Sequence, residues 1–188
     1  TAKSANPAKA MRESAYPVIF DRTLSWKSDA YLASHMLDGR AVLPAAMMME
    51  YFAQAAVQKN AGLHLQGMND FRVFKGVQLG QGEEIQICVH AQEAQSQADG
   101  KYTLEVELRS AAGDLHARAT LVLSDRVSAA PSPLAFPQLS AYKADKSQIY
   151  GDKLFHGDHF QGIQKLLGCS ATGIHAISSP APKPKEWM

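Results

Sequence analysis

Apolar and polar side chains alternate along three stretches of the chain: Ile85, Ile87 and Val89; Leu104, Val106 and Leu108; and Leu115, Ala117, Ala119 and Leu121. Successive side chains of an extended chain point to opposite faces, so each run predicts a strand with one face in a core. Asp99-Gly100 and Gly113-Asp114 punctuate the runs and predict hairpin turns. Two further extended segments are predicted at 16–26, YPVIFDRTLSW, and 70–79, DFRVFKGVQL. Between these two lies PAAMMMEYFAQAAVQKNAG, where Pro44 suits a first helical turn and Gly62 a stop. The pattern predicts a helix over about 43–59. Its first three turns are apolar nearly all the way round, which predicts burial on several sides. One long helix with consecutive antiparallel strands makes an α+β domain whose sheet curls round the helix.

The rest of the chain changes character twice. Residues 1–15, TAKSANPAKAMRESA, are small, polar and aperiodic, and read as a linker or tail. Residues 124–147 place Pro131, Pro133 and Pro137 within seven positions and read as an extended linker. Beyond it, 148–188 predicts a short helical or turn entry and then a strand pair, closing in the linker-like SPAPKPKEWM. This segment offers too little apolar surface to fold by itself. The expected organisation is therefore a tail (1–15), a first unit (16–123), a linker (124–147) and the start of a second unit (148–188).

Composition narrows the function classes. At 188 residues, 46% hydrophobic and 20% charged, the chain has the make-up of a globular protein with a real core. A formal net charge of +1 argues against nucleic acid or an anionic membrane as partner. Cys88 and Cys169 have no metal-like spacing, no run is long enough to span a bilayer, and no secretory signal opens the chain. The expectation is a cytoplasmic protein without a disulfide framework or metal site.

Candidate chemistry centres on HMLDGRAVLP, residues 35–44. Gly39 can adopt backbone angles closed to other residues and bring its N–H close to a ligand. Pro44 fixes the helix start, so first-turn N–H groups are expected to point toward the loop carrying His35. An imidazole beside such donors can take a proton next to a carbonyl while the donors hold the enolate oxygen. On the helix, Glu50 and Gln54 are four residues apart and share a face. A carboxylate there must be paired, and the structural reading bonds Glu50 and Gln54 to backbone groups of the wrapping sheet. His156, Asp158 and His159 form a short cluster without a third, separated ligand, which is poor support for a metal. His64, His90, His116 and His175 have no evident convergent partner.

His35-x-x-x-Gly39-x-x-x-x-Pro44 resembles the HxxxGxxxxP signature of dehydratase domains in polyketide and polyunsaturated fatty acid synthases. LFHGDHFQGI, residues 154–163, is similar to the opening of that family's second unit, where Gly-Pro-x-Phe-Gln is usual. Gly157, Phe160 and Gln161 match, and Asp158 stands where the proline would be. The resemblance implies a double hot-dog fold, each unit a curved antiparallel sheet round a long helix, here with the first unit complete and the second begun. It implies loss of water from a β-hydroxyacyl thioester, with His35 as base and the Gly39 N–H on the thioester carbonyl. Pro44, Phe160 and Gln161 would lie along the substrate. No cofactor is implied beyond the phosphopantetheine arm of an acyl carrier protein, and the partners would be that carrier and the other synthase domains. The family's acid is an aspartate on the second unit's helix, and no position up to Met188 matches it.

Glu50 also matches the catalytic glutamate of single-unit hot-dog dehydratases, which act as dimers. In a homodimer of this chain Glu50 would face His35 of the other copy; in a double-unit enzyme it is structural. Rival readings are a product-template-like cyclase and a non-catalytic acyl-binding or scaffolding module. The first motif argues against a hot-dog thioesterase.

Overall fold

The computed structural model describes residues 14–129, 132 and 139–180. In chain order its strands and one long helix are β1 (Val18–Ser25), β2 (Met36–Leu37), β3 (Arg40–Val42), α1 (Ala45–Lys59), β4 (His64–Val73), β5 (Gln78–Leu79), β6 (Glu84–Ala91), β7 (Gln95–Ser96), β8 (Lys101–Ser110), β9 (Leu115–Ser124), β10 (Ile163–Cys169) and β11 (Ile174–Ser178). Most of the tail at 1–15, the proline cluster of the linker and the closing 181–188 lie outside the described residues. The chain forms two compact units. One takes in the described residues up to Ser25 together with Leu43–Ala129; the other takes in Trp26–Val42 and the described residues after Ala129.

The first unit is an antiparallel sheet in the order β1-β6-β8-β9-β4, with β7 on β8, and α1 packs against β1, β4, β6, β8 and β9. The alternation in the sequence decides which face of the sheet meets the helix. Ile87, Val89, Leu104, Val106, Leu108, Ala117, Ala119 and Leu121 are all buried, while Gln86, Glu105 and Arg118 turn the other way. From the helix, Met47, Met48, Tyr51, Phe52, Ala55 and Ala56 enter the same core. Burial of a side chain the size of Phe52 contributes roughly 1.5–3 kcal/mol.

Two expectations change here. The helix begins at Ala45, not Leu43: Pro44 is its cap, in extended geometry (φ −60, ψ 145), and its carbonyl accepts from the N–H groups of Met47 and Met48. Nor is α1 buried on several sides: its buried residues form one broad face, and Met49 and Val57 are each 37% exposed.

The stretch 70–79 is not one strand either. β4 starts six residues earlier, at His64, and ends at Val73, before a bend that leads to β5. Register shifts between Leu65 and Gly67 and between Asn69 and Arg72, with Asp70 at φ 52, break its period-2 pattern.

In the second unit a 3-10 turn, Ala30–Ser34, buries Tyr31, Leu32 and Ser34 and leads into the β2–β3 hairpin. Asp38 and Gly39 form its tip, between the paired Leu37 and Arg40, and both have positive φ (49 and 76) as a two-residue primed turn requires. Further along, Asp145 caps a short helical segment, Lys146–Gln148, with a reciprocal side-chain and backbone capping box, and a π turn, Ile149–Lys153, follows. A 3-10 turn at Asp158–Phe160 precedes the β10–β11 hairpin. Among the described residues no helix is long and apolar enough to cross a membrane.

Candidate active site

His35 is held by its own hairpin. Its N–H donates to the Leu32 carbonyl (3.1 Å), closing the 3-10 turn, and its carbonyl accepts from the Val42 N–H (2.9 Å). Its ring Nδ1 lies 2.7 Å from the same residue's carbonyl oxygen. A carbonyl can only accept, so a proton sits on Nδ1, and in the neutral form of the ring the lone pair is on Nε2. The β2–β3 hairpin thus fixes both the orientation of the imidazole and the tautomer a base needs. Gly39 provides the turn at the hairpin's exposed tip. A Cβ there would have nothing within 4 Å, so only the positive φ opposes a side chain.

The segment 154–161 closes on His35 through Ser34. The Gly157 N–H donates to the Ser34 carbonyl (2.8 Å), and a Cβ on Gly157 would come within 2.9 Å of the Ser34 Cα. Only glycine allows that approach. The Ser34 hydroxyl accepts from the His159 N–H (3.2 Å) and meets His159 Nδ1 at 3.0 Å. These bonds bring three rings round His35: Phe155 at 4.9 Å between centroids and tilted 58°, His156 at 5.6 Å and 23° from parallel, and Phe160 at 6.0 Å edge-on. Phe160 in turn meets Tyr31 at 6.2 Å, and the Gln161 amide donates to the His156 carbonyl at 3.3 Å. Burial, and secondarily a charge on His35 when that ring is protonated, push the His156 imidazole below its ordinary value.

Of the residues singled out from sequence, His35 and Phe160 meet directly, Gln161 joins through the backbone of His156, and Gly39 shapes the hairpin. Pro44 and Glu50 belong to the helix-bearing unit. There the expectation that Glu50 and Gln54 bond to the sheet is corrected. The Gln54 amide donates to Glu50 Oε1 at 3.1 Å along the half-buried face of α1, beside Ala53, Val57 and Gln58. Their four-residue spacing puts them in reach of each other, and the helix turns that face away from the sheet.

Ser34, Phe155, His156 and His159 were not expected round His35. The signal available was the pairing of two histidines with two phenylalanines in FHGDHF, the stretch similar to the opening of the family's second unit. His159 bonds to Ser34, and His156 stacks on His35. Among the other histidines, His90 Nδ1 donates to the Tyr16 carbonyl (2.8 Å) and His116 Nδ1 to the Lys75 carbonyl (3.0 Å).

Residues 9–110 match the family model for the polyketide synthase dehydratase domain. The chain belongs to that family. Across 170 residues the dehydratase-family chain is 31% identical to one of the subunits of the polyunsaturated fatty acid synthase of a Thraustochytrium species, covering 88% of this chain and 6% of that protein. Among solved structures it is similar to the dehydratase domain from the CurK module of the curacin polyketide synthase (TM-score 0.57, 22% identity, 79% of this chain and 55% of that one). It is also similar to a trans-AT polyketide synthase dehydratase domain from Brevibacillus brevis (TM-score 0.58, 17% identity, 84% and 62%). The fold is the α+β hot-dog of these dehydratase domains. The dehydratase-family chain spans about 6% of the length of the curated relative it matches.

Proposed function

We propose that this domain takes part in removing water from a β-hydroxyacyl thioester during polyketide or polyunsaturated fatty acid synthesis, with His35 as the base. The observation that carries this reading is the 2.7 Å bond from His35 Nδ1 to the Val42 carbonyl. It leaves Nε2 as a lone pair with a fixed direction. Nε2 takes the proton from the carbon next to the thioester carbonyl, and the C–H electrons become the new C=C bond. The C–O bond of the β-hydroxyl breaks, and the departing oxygen leaves as water once it receives a proton. The products are an enoyl thioester and water. No electrons are gained or lost, so the step needs no resident redox cofactor.

Hydroxide is a poor leaving group, so a second, acidic group must serve it. Glu50, bonded to Gln54 in the other unit, is read here as structural. The carbonyl oxygen gathers charge as the proton leaves, and a backbone N–H is the usual way to hold it. Gly39 is assigned that role. Neither N–H at the tip of a two-residue hairpin is needed for the strand ladder, which keeps this one available. Phe160 and Gln161 line the approach to the base. The substrate arrives as an acyl chain on the phosphopantetheine arm of an acyl carrier protein, with the other synthase domains and that carrier as partners in a soluble, cytoplasmic assembly.

The test is product analysis with a β-hydroxyacyl carrier-protein substrate and the complete polypeptide. Enoyl product from wild type and its loss in a folded His35→Ala variant support the reading. Hydrolysis, cyclisation or binding without turnover contradicts it.

A further inference from the structure

The family motifs account for His35, Gly157, Phe160 and Gln161, but not for the ring that lies along the base. We propose that His156 is a positioning residue for His35: its ring face steadies the base and stabilises the imidazolium that proton abstraction creates. The inference rests on His35 being the base.

Three observations carry it. The two imidazoles are 5.6 Å apart and within 23° of parallel, so His156 presents its face along His35. Phe155 and Phe160 meet the same ring at 58° and 73°. His156 is also held from both sides. Its carbonyl accepts from the Gln161 amide, and the next residue, Gly157, is bonded to the Ser34 carbonyl with no room for a Cβ.

The balance of charge agrees with this geometry. A ring face within about 6 Å attracts a cation, but only a neutral ring does so without repulsion. Burial and a charge on His35 both disfavour protonation of His156. A proton on His35 therefore works against a second one on His156. Its contribution is made to the charged product of proton transfer and not to substrate binding, so it belongs in kcat more than in KM.

The experiment uses the complete polypeptide and a β-hydroxyacyl N-acetylcysteamine thioester, comparing wild type, His35→Ala, His156→Ala and His156→Phe. His156→Ala is expected to lower kcat by roughly 5- to 30-fold, from the usual range of a cation beside a ring face. KM should stay within about twofold. His156→Phe keeps the ring face and is expected to restore most of the loss. A variant as slow with Phe as with Ala would overturn the inference, because a nitrogen and not the face would then be needed. Wild-type kcat in His156→Ala would overturn it too. If the Ala variant does not fold, the Phe variant decides alone, and near-normal kcat is the expected result. His35→Ala separates the two levels: retained turnover there removes the base reading and this inference with it. An inactive His35→Ala beside an unimpaired His156→Ala removes only the role of His156.

Discussion

Gly157→Ala tests whether the contact between 154–161 and Ser34 assembles the site. The backbone at Gly157 is ordinary (φ −75, ψ −175), so alanine meets no conformational penalty there. The cost is steric. The new Cβ would sit 2.9 Å from Ser34 Cα, 3.0 Å from its Oγ and 3.1 Å from its Cβ, whereas carbon atoms pack at about 3.5–4.0 Å. The first of these is a backbone atom in a turn fixed by the bonds of Leu32 and His35, so it cannot swing aside. The segment must back away by several tenths of an ångström, weakening the Gly157–Ser34 bond and the two contacts of the Ser34 hydroxyl with His159. Overpacking of this kind costs about 1–3 kcal/mol. The rings round His35 move with the segment, and turnover should fall by roughly 10- to 100-fold, since small misplacements near a reacting group are costly. Gly151→Ala is the control: nothing lies within 4 Å of its Cβ position, and a change under about 0.5 kcal/mol is expected. Urea unfolding and steady-state turnover of both variants form the assay. Equal behaviour of Gly157→Ala and Gly151→Ala would refute the steric reasoning.

Two further outcomes are expected. Glu50→Gln should leave turnover within about twofold of wild type and stability within about 0.5 kcal/mol, because the side chain can still face Gln54; silencing of an active dimer by this change would make Glu50 the acid. His116 is buried, with Nδ1 donating to Lys75 and Nε2 without a partner, and burial first of all holds its imidazole below the ordinary 6.5. The unfolded chain therefore binds a proton in a range where the folded chain resists it. Stability is full above the unfolded value and falls as pH drops below it. Urea midpoints of wild type and His116→Gln between pH 7.5 and pH 5 measure this, and equal slopes for the two would show that His116 does not contribute.

The elements legible in the sequence are those whose period matches a single environment. β6, β8 and β9 alternate because one face meets α1 throughout, and α1 is announced by Pro44 and its apolar run. The first half of β4 is invisible there because Gly67 and the left-handed Asp70 sit at register shifts, which scramble a period-2 signal. The exposed face of α1 is hidden too, because Met49 and Val57 are apolar whether or not the sheet covers them. In the candidate site, the turn that carries His35 is legible because Gly39 marks it, and the structure makes it a two-residue hairpin with Gly39 at positive φ. His156 is not legible, since the contact joins positions more than a hundred residues apart and depends on a missing Cβ at Gly157. Nothing in FHGDHF by itself says which of its rings will lie parallel to which.

The central claim is that His35 takes the proton. The most direct measurement is the rate of enoyl thioester formation from a β-hydroxyacyl carrier-protein substrate by the complete polypeptide, wild type against His35→Ala, with urea unfolding run in parallel. The expected result is a folded variant whose rate is lower by ~10²-fold or more. A folded His35→Ala variant that forms the enoyl product at a near-normal rate would contradict it.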